Sequence, residues 1–193
     1  MVKGKIIIIS GPSGSGKTTL YKKLMASKKL KDKLARSISV TTRPRRAGEK
    51  QGCDYLFVSP KRFMYKRRHG HFLESEKVFG NYYGTPNKNV RNLLKAGKNV
   101  LLSIDVKGAK TVCRKYPGAI SIFIKTPSLR ILAGRLKKRG SEGNQALRLR
   151  LETARRELRE AEEYHYVVIN DTLKSAYKNL ESIIFQALCA DQV

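Results

Sequence analysis

The chain has 193 residues, of which 40% are hydrophobic and 29% are charged; this is the composition of a folded globular protein and excludes an intrinsically disordered chain. Lys and Arg number 41 against 15 Asp and Glu, so the formal net charge is +26, which predicts attraction to polyanions such as nucleotides and nucleic acids. No apolar run approaches the roughly 20 residues that span a bilayer, so we expect neither a signal peptide nor a membrane anchor.

Strands and helices are predicted to alternate through most of the chain. The apolar run at 5–10 predicts a buried parallel strand, and a glycine-rich turn and a helix over 16–28 follow it. Beyond residue 86 the predicted elements are a helix over 88–96, a strand over 100–105, a helix over 109–115, a strand over 120–125, a helix over 128–138, a polar loop over 139–145, a charged helix over 146–164, a strand over 166–170 and a helix over 173–190. This alternation predicts an α/β sandwich with a parallel central sheet.

The segment 37–86 has a different character. It contains four short β-like stretches, at 37–40, 55–58, 72–74 and 82–84, and one short helix over 60–68. Short strands joined by turns predict a small, mixed or antiparallel module inserted into a larger unit. We therefore expect a core made of 1–36 and 87–193 and an insert made of 37–86.

A phosphate-binding motif lies between the first predicted strand and helix. Its residues are Gly11, Pro12, Ser13, Gly14, Ser15, Gly16, Lys17 and Thr18, which match G-x-x-x-x-G-K-[ST]. Glycines let successive N–H groups point at a phosphate, which also meets the positive end of the helix dipole. Lys17 supplies a cation for the β- and γ-phosphates, and Thr18 a hydroxyl for Mg²⁺. The motif predicts binding of a nucleoside triphosphate but not the use to which its phosphate is put.

Asp105 follows the apolar run at 100–104. A carboxylate at the carboxyl end of a parallel strand, beside the phosphate loop, lies where Mg²⁺ and its waters bind. We expect Asp105 to reach the metal through water, although an aspartate at a strand end also commonly forms a turn.

Further motifs occur in the predicted insert and carry a family resemblance. They are the segments S-V-T-T-R-P-R-R-A-G-E at 39–49, G-C-D-Y at 52–55, F-L-E at 72–74 and G-N-Y-Y-G-T-P at 80–86. Together with the phosphate loop they resemble guanylate kinase, and the resemblance extends from the loop to the final helix. It implies the three-layer P-loop NTPase sandwich, a GMP-binding insert at 37–86 and a helical or loop lid at about 135–150.

The resemblance also implies which residues bind GMP. They are Ser39, Arg43, Arg46, Tyr55, Glu74, Tyr83, Thr85 and Asp105. The planar guanidinium groups of Arg43 and Arg46 suit two-point binding of a phosphate. Glu74 would accept the N1 and N2 hydrogens of guanine, and because adenine presents a reversed donor pattern there, discrimination of about 10⁴–10⁵ in rate is expected.

On the ATP side the resemblance implies a set of lid arginines. Arg135, Arg139 and Arg150 fall where guanylate kinases place the arginines that close on the transferring phosphoryl group, and Asn170 resembles the contact on the adenine side. An arginine brought to a phosphoryl transition state contributes on the order of 10³–10⁵ in rate. Lys17, Arg43, Arg139 and Arg150 are thus the expected catalytic residues.

The implied reaction converts ATP and GMP into ADP and GDP with Mg²⁺, with dGMP as a further acceptor, and belongs to purine nucleotide metabolism and GMP recycling. One position departs from the family pattern. Guanylate kinases usually carry a second carboxylate two residues before the aspartate, and here Ser103 replaces it. We expect weaker affinity, not lost activity.

Three alternatives remain open. A non-catalytic guanylate-kinase-like module could bind phosphorylated peptides at the same arginines, although intact Lys17 and Thr18 favour the enzyme. The same kinase fold could use another acceptor. The charge could serve nucleic-acid binding, but since the basic residues are spread along the chain with no recognisable reading module, we expect only salt-sensitive, sequence-independent polyanion binding.

The cysteines bear on the cellular compartment. Cys53, Cys113 and Cys189 are an odd number at wide spacing, which argues against a disulfide framework and favours a reducing cytoplasm. The oligomeric state does not follow from the sequence.

Overall fold

The computed structural model describes residues 4–138 and 144–189. Its elements in chain order are β1 (Ile6–Ser10), α1 (Lys17–Met25), β2 (Leu34–Arg36), β3 (Val40–Thr41), β4 (Leu56–Phe57), α2 (Pro60–Arg68), β5 (Phe72–Val78), β6 (Asn81–Pro86), α3 (Asn87–Lys95), β7 (Asn99–Ser103), α4 (Val106–Lys115), β8 (Ile120–Lys125), α5 (Leu129–Lys138), α6 (Asn144–Arg159), a 3₁₀ turn (Glu160–Glu163), β9 (Tyr166–Ile169) and α7 (Leu173–Cys189).

A five-stranded sheet in the order β2-β7-β1-β8-β9 forms the centre of the molecule, and every pair of neighbours in it is parallel. The four isoleucines of β1 are buried on both faces of this sheet. Ile7 and Ile9 pack towards α1 and α7, whereas Ile6 and Ile8 pack towards α3 and α4. Helices thus cover both faces, and the predicted three-layer α/β fold is confirmed.

A second sheet, in the order β4-β3-β6-β5, lies within the segment predicted as an insert. β3 and β4 are parallel, and β6 runs antiparallel to both β3 and β5. The sheet is therefore mixed, as the sequence predicted.

Helix α2 covers one face of this second sheet. The ring of Phe63, fully buried, stacks on Phe72 at 4.6 Å and on Tyr82 at 5.4 Å between centroids. Because successive strand residues point to opposite faces, Tyr83 and Thr85 face away from α2. The second sheet thus has a helix-covered outer face and an inner face that carries predicted site residues.

Several predicted bounds were wrong. Strand β2 was not predicted, and the strand expected at 37–40 is limited to Val40–Thr41. Helix α4 begins at Val106 instead of 109 because the Asp105 carboxylate caps it, accepting the Gly108 N–H at 3.0 Å. Helix α6 begins at Asn144, inside the predicted polar loop, of which residues 139–143 lie outside the described residues.

Helices α5 and α6 pack on each other through Leu132, Leu136 and Ala154. Ser128 caps α5, since its hydroxyl accepts the N–H of Ile131 at 3.2 Å. Among residues 4–138 and 144–189, no helix combines the length and the apolar character needed to cross a bilayer.

Candidate active site

The phosphate loop connects the carboxyl end of β1 to the start of α1. Gly16 precedes the helix with φ of 97°, a conformation that favours glycine, and a Cβ there would fall 2.1 Å from Asn170 Nδ2. Within the described residues, no side chain caps α1. The main-chain N–H groups of its first turn are therefore available to an anion at the positive end of the helix dipole.

Two side chains brace this loop. Lys17 Nζ donates to the carbonyl oxygens of Gly11 and Pro12, at 2.6 and 2.8 Å. The side-chain amide of Asn170, which is 4% exposed, donates to Ser15 O at 2.7 Å. Asn170, expected on the adenine side from the resemblance, thus lies directly against the phosphate loop.

Two side chains with oxygens that could coordinate Mg²⁺ lie at the edge of the central sheet that also carries the phosphate loop. Thr18 is exposed in the first turn of α1, and Asp105 uses Oδ1 as the cap of α4. No group of three or more acidic, His or Cys side chains arranged around a common metal position occurs in the described part of the chain.

A second group of predicted site residues lies in the segment 37–86, around Arg43. Arg43 Nη2 donates to both carboxylate oxygens of Glu49, at 2.7 and 3.0 Å, and Nη1 donates to Pro44 O at 2.6 Å. Burial raises the pKa of Glu49, but the hydrogen bonds from Arg43 and from the Arg46 N–H outweigh it and lower the pKa overall. Glu49 is thus an anion that is paired with Arg43.

Aromatic rings surround the Arg43 guanidinium. Its carbon lies 5.6 Å from the ring centroid of Tyr55 and 5.8 Å from that of Phe57. The Tyr55 and Tyr83 rings meet edge to face at 6.0 Å. The structure therefore brings Arg43, Tyr55 and Tyr83 together, with the exposed Arg46 on the same loop.

Glu74 is a buried carboxylate on the inner face of the insert sheet. It is 4% exposed, and its Oε1 accepts the hydroxyl hydrogen of Thr85 at 2.5 Å. Burial raises the pKa of Glu74 to about 7, with a smaller contribution from the nearby Asp105 carboxylate. The hydrogen bond from Thr85 acts in the opposite direction. A carboxylate buried to this degree is expected at a binding site that supplies further donors.

The predicted lid arginines differ in their surroundings. Arg135 on α5 donates through Nη2 to Asn170 O at 2.9 Å and to Asp171 O at 3.2 Å. Arg150 on α6 lies 4.7 Å from the ring centroid of Phe79, at the tip of the β5–β6 hairpin. Arg139 lies outside the described residues. Arg150 thus links α6 to the insert.

Comparisons with known proteins agree with this geometry. The family profile described as guanylate kinase matches residues 3–187. The guanylate kinase of Clostridium tetani is 42% identical over 189 residues, covering 98% of this chain and 89% of the relative. That of Rickettsia prowazekii is 42% identical over 182 residues, covering 94% and 91%. The chain belongs to the guanylate kinase family.

A solved structure supports the same assignment. The crystal structure of guanylate kinase from Anaplasma phagocytophilum matches with a TM-score of 0.77 at 32% identity, covering 96% of this chain and 86% of that one. Guanylate kinases are ATP:GMP phosphotransferases and bind both ATP and GMP.

A guanylate kinase needs groups that hold its ligand-binding residues in place, and the residue-by-residue prediction missed two of these. Glu49 was quoted only as part of a motif, and its pairing with Arg43 follows from the folded loop. Gly108, in the first turn of α4, lies so close to Glu74 that a Cβ there would fall 2.8 Å from Oε2.

Glu157 was also missed, because the segment 146–164 was predicted as a charged helix in which Arg150 was the assigned site residue. Burial raises the pKa of Glu157, the nearby Lys17 ammonium opposes that rise, and Asp105 adds to it. The available signal was helical spacing, since Glu157 lies three residues after the buried Ala154 and four before the buried Ala161. Glu157 is thus a further carboxylate near the phosphate loop.

Proposed function

We propose that two facing anion sites in this guanylate kinase family member align ATP and GMP for phosphoryl transfer. The chain transfers the γ-phosphoryl group of ATP to GMP, giving ADP and GDP. Two features give the strongest structural support. The phosphate loop at the end of β1 leads into helix α1, which no side chain of the described residues caps, and the carboxylate of Glu74 in the insert is buried. The first feature suits a triphosphate and the second a guanine edge.

On the donor side, the phosphate loop would bind the phosphates of ATP through main-chain N–H groups. Gly11, Pro12, Ser13, Gly14, Ser15, Gly16, Lys17 and Thr18 form this loop. Lys17 would exchange its carbonyl partners in the loop for the β- and γ-phosphates. Arg135 would bind ATP from α5, and Asn170 would act by holding Ser15 in place.

On the acceptor side, we assign GMP to residues 37–86 together with Asp105. Arg43, Arg46, Tyr55 and Tyr83 would bind the phosphate, with the Glu49 carboxylate holding the Arg43 guanidinium in position through Nη2. Glu74, Thr85 and Ser39 would bind the guanine edge. The Glu74–Thr85 hydrogen bond already fixes the carboxylate from one side, so its remaining lone pairs can accept from N1 and N2 of guanine.

Phosphoryl transfer at these sites depends on alignment and charge. The attacking phosphate oxygen of GMP is largely ionised at neutral pH, because the second pKa of a phosphate monoester is about 6, and no general base is required. Lys17, Arg43, Arg139 and Arg150 would neutralise the charge that spreads over the transferring group. Closure of the lid and the insert would exclude water, which otherwise hydrolyses ATP.

We propose Mg²⁺ as the metal that accompanies ATP, held by the Thr18 hydroxyl and, through water, by Asp105. When bound, it would neutralise phosphate charge and fix the geometry of the β- and γ-phosphates. Asp105 would retain its cap of α4 through Oδ1 and use Oδ2 for this contact. We further propose a reducing cytoplasm as the compartment, which fits the three free cysteines.

A coupled assay of ADP and GDP formation tests the proposed function. With ATP, Mg²⁺ and GMP, the purified chain should form both products in equal amounts, with dGMP as a second acceptor. The Lys17→Met variant should lose turnover by a factor of at least about 10³, because it removes the loop cation. Tight GMP binding without turnover in the wild-type chain would instead indicate the non-catalytic peptide-binding module.

A further inference from the structure

Helix α2 carries a dense positive charge that the proposed kinase reaction does not use. Five of its nine residues are basic and none is acidic. The basic residues are Lys61, Arg62, Lys66, Arg67 and Arg68. Within the described residues, no carboxylate forms an ion pair with any of them. Lys66, Arg67 and Arg68 lie in the last turn, where the helix dipole favours cations, but Lys61 and Arg62 lie in the first turn, where it disfavours them. The helix dipole therefore does not account for the whole charge.

The helix presents this charge to solvent in an ordered way. Phe63 is its buried residue and fixes which side faces the sheet. Lys61, Tyr65 and Arg68, at spacings of four and three, share the side opposite to Phe63. Tyr65 is 60% exposed. An aromatic ring thus stands on the outward side between two cations.

The Tyr65 ring is supported by its neighbours. It lies 4.1 Å from the His69 ring, at an interplanar angle of 33°, and the His71 ring lies 6.3 Å from that of His69. His69 Nδ1 is 2.8 Å from Tyr65 O, to which it donates when protonated there. The three rings form a short row along the end of α2 and the turn that follows it.

We propose that this outer face of the insert, made of α2 and residues 69–71, binds single-stranded nucleic acid. Proteins bind single strands by combining cations that follow the phosphates with exposed aromatic rings on which unpaired bases stack. Lys61, Arg68 and the exposed Arg62 beside them supply the first element, and Tyr65 supplies the second. A duplex keeps its bases stacked inside, so it offers no free base face to the aromatic row.

This surface is separate from the kinase site. Phe63 and Tyr82 pack between α2 and the sheet, whereas Tyr83 and Glu74 lie on the other face of that sheet. Substitutions on the outward side of α2 are therefore expected to leave GMP turnover unchanged.

Fluorescence anisotropy with a labelled 20-nucleotide single-stranded RNA tests the charge. We compare the triple variant K61Q/R62Q/R68Q with K28Q/K29Q/K31Q, which removes the same charge from exposed lysines after α1. The α2 variant should lose at least about tenfold in affinity, and its slope of log K against log salt should fall by about 2, since each phosphate contact contributes about 0.7 for single strands. The control variant should lose less than about twofold.

The aromatic contribution is tested with Tyr65→Ala and with Met64→Ala, an exposed neighbour, as control. Tyr65→Ala should weaken RNA binding by about tenfold with the salt slope unchanged, because stacking is not a counterion effect. Met64→Ala should have little effect. Single-stranded DNA of the same length distinguishes general recognition of unpaired bases from recognition of RNA alone.

Defined results would overturn the proposal. They are no RNA binding at low salt, equal losses in the two triple variants, Tyr65→Ala binding as the wild type does, or a preference for duplex RNA or for vesicles of phosphatidylserine over the single strand. GMP turnover is measured on every variant, so that a loss of RNA binding can be told apart from a loss of kinase activity.

Discussion

The main chain of Gly108 lies against the carboxylate of Glu74, since a Cβ atom built at position 108 would fall 2.8 Å from Oε2. The first turn of α4 is fixed there by the Asp105 cap on the Gly108 N–H. Glycine at 108 thus leaves the space in which the Glu74 side chain can take its orientation towards a base.

We predict that Gly108→Ala raises the KM for GMP by at least about tenfold, because displacing a positioned group by about 1 Å costs up to about 10² in rate. The KM for ATP should not change. Alanine favours a helix over glycine by about 0.5–1 kcal/mol, so the variant should not lose thermal stability. Gly118→Ala is the matched control, since a Cβ there contacts nothing within 4 Å. Equal GMP kinetics in the two variants would contradict this role for Gly108.

The titration of Glu74 predicts the pH dependence of acceptor binding. Burial raises its pKa to about 7, whereas accepting hydrogens from guanine requires the ionised form. The KM for GMP should therefore rise by up to about tenfold per pH unit below 7. The GMP phosphate titrates near 6, so Glu74→Gln, which retains only the phosphate titration, gives the reference profile. Wild-type and variant profiles of the same shape would count against the assignment.

Glu74→Gln should also change stability in a defined direction. A carboxyl whose pKa is raised on folding stabilises the protein fully below its unfolded pKa, and this stabilisation is lost as the pH rises through about 7. Since glutamine carries no buried charge, the variant should melt at a higher temperature than the wild type at pH 8, with a smaller difference at pH 5. Calorimetry at both pH values measures this.

Glu49 is predicted to act by positioning Arg43. The Glu49 carboxylate accepts two hydrogen bonds from the Arg43 guanidinium and one from the Arg46 N–H. Glu49→Gln removes the negative charge of this acceptor. The KM for GMP should rise about tenfold while the KM for ATP stays constant, because hydrogen bonds to a charged group contribute about 1.5–3 kcal/mol. Glu152→Gln, at an exposed site on α6, controls for lost negative charge. A GMP KM that falls would show that Glu49 competes with the phosphate instead of orienting its ligand.

Arg150 and Arg148 offer a matched test of the lid. Arg150 contacts the Phe79 ring of the insert, whereas Arg148 is exposed two residues earlier on the same helix. Arg150→Gln should lower kcat by about 10³ or more, as for other arginines at phosphoryl transition states. Arg148→Gln should remain within about twofold of the wild type. Comparable losses in both variants would mean that general charge, not a placed guanidinium, supports the reaction.

The sequence predicted the bounds of some helices and strands correctly and those of others wrongly, and the difference has physical causes. Helix α2 agrees with the predicted helix over 60–68. In the structure Ser59 caps it and Pro60 begins it, and both are local features of the sequence. Strand β2 was missed because three residues at the edge of a sheet show no periodicity. The start of α4 was placed late because Asp105 was interpreted as a strand end.

The residues of the candidate site also fall into two groups, those that a local sequence signal marks and those that only the fold brings together. Phosphate-loop residues are contiguous and carry their own signal, so the sequence alone is enough to predict them. The pairs Arg43–Glu49 and Glu74–Gly108 depend on how a loop closes and how two modules approach each other, which no spacing encodes. Glu157 was hidden among the charges of α6, and only the fold brings it near Lys17.

Steady-state turnover of ATP with GMP, AMP, CMP and UMP as acceptors, in the wild type and in Glu74→Gln, tests the central claim most directly. The kcat/KM for GMP should exceed that for AMP by about 10⁴ or more, and Glu74→Gln should reduce that ratio mainly by lowering the GMP value. Comparable turnover of AMP and GMP by the wild-type chain would contradict recognition of guanine by the buried carboxylate.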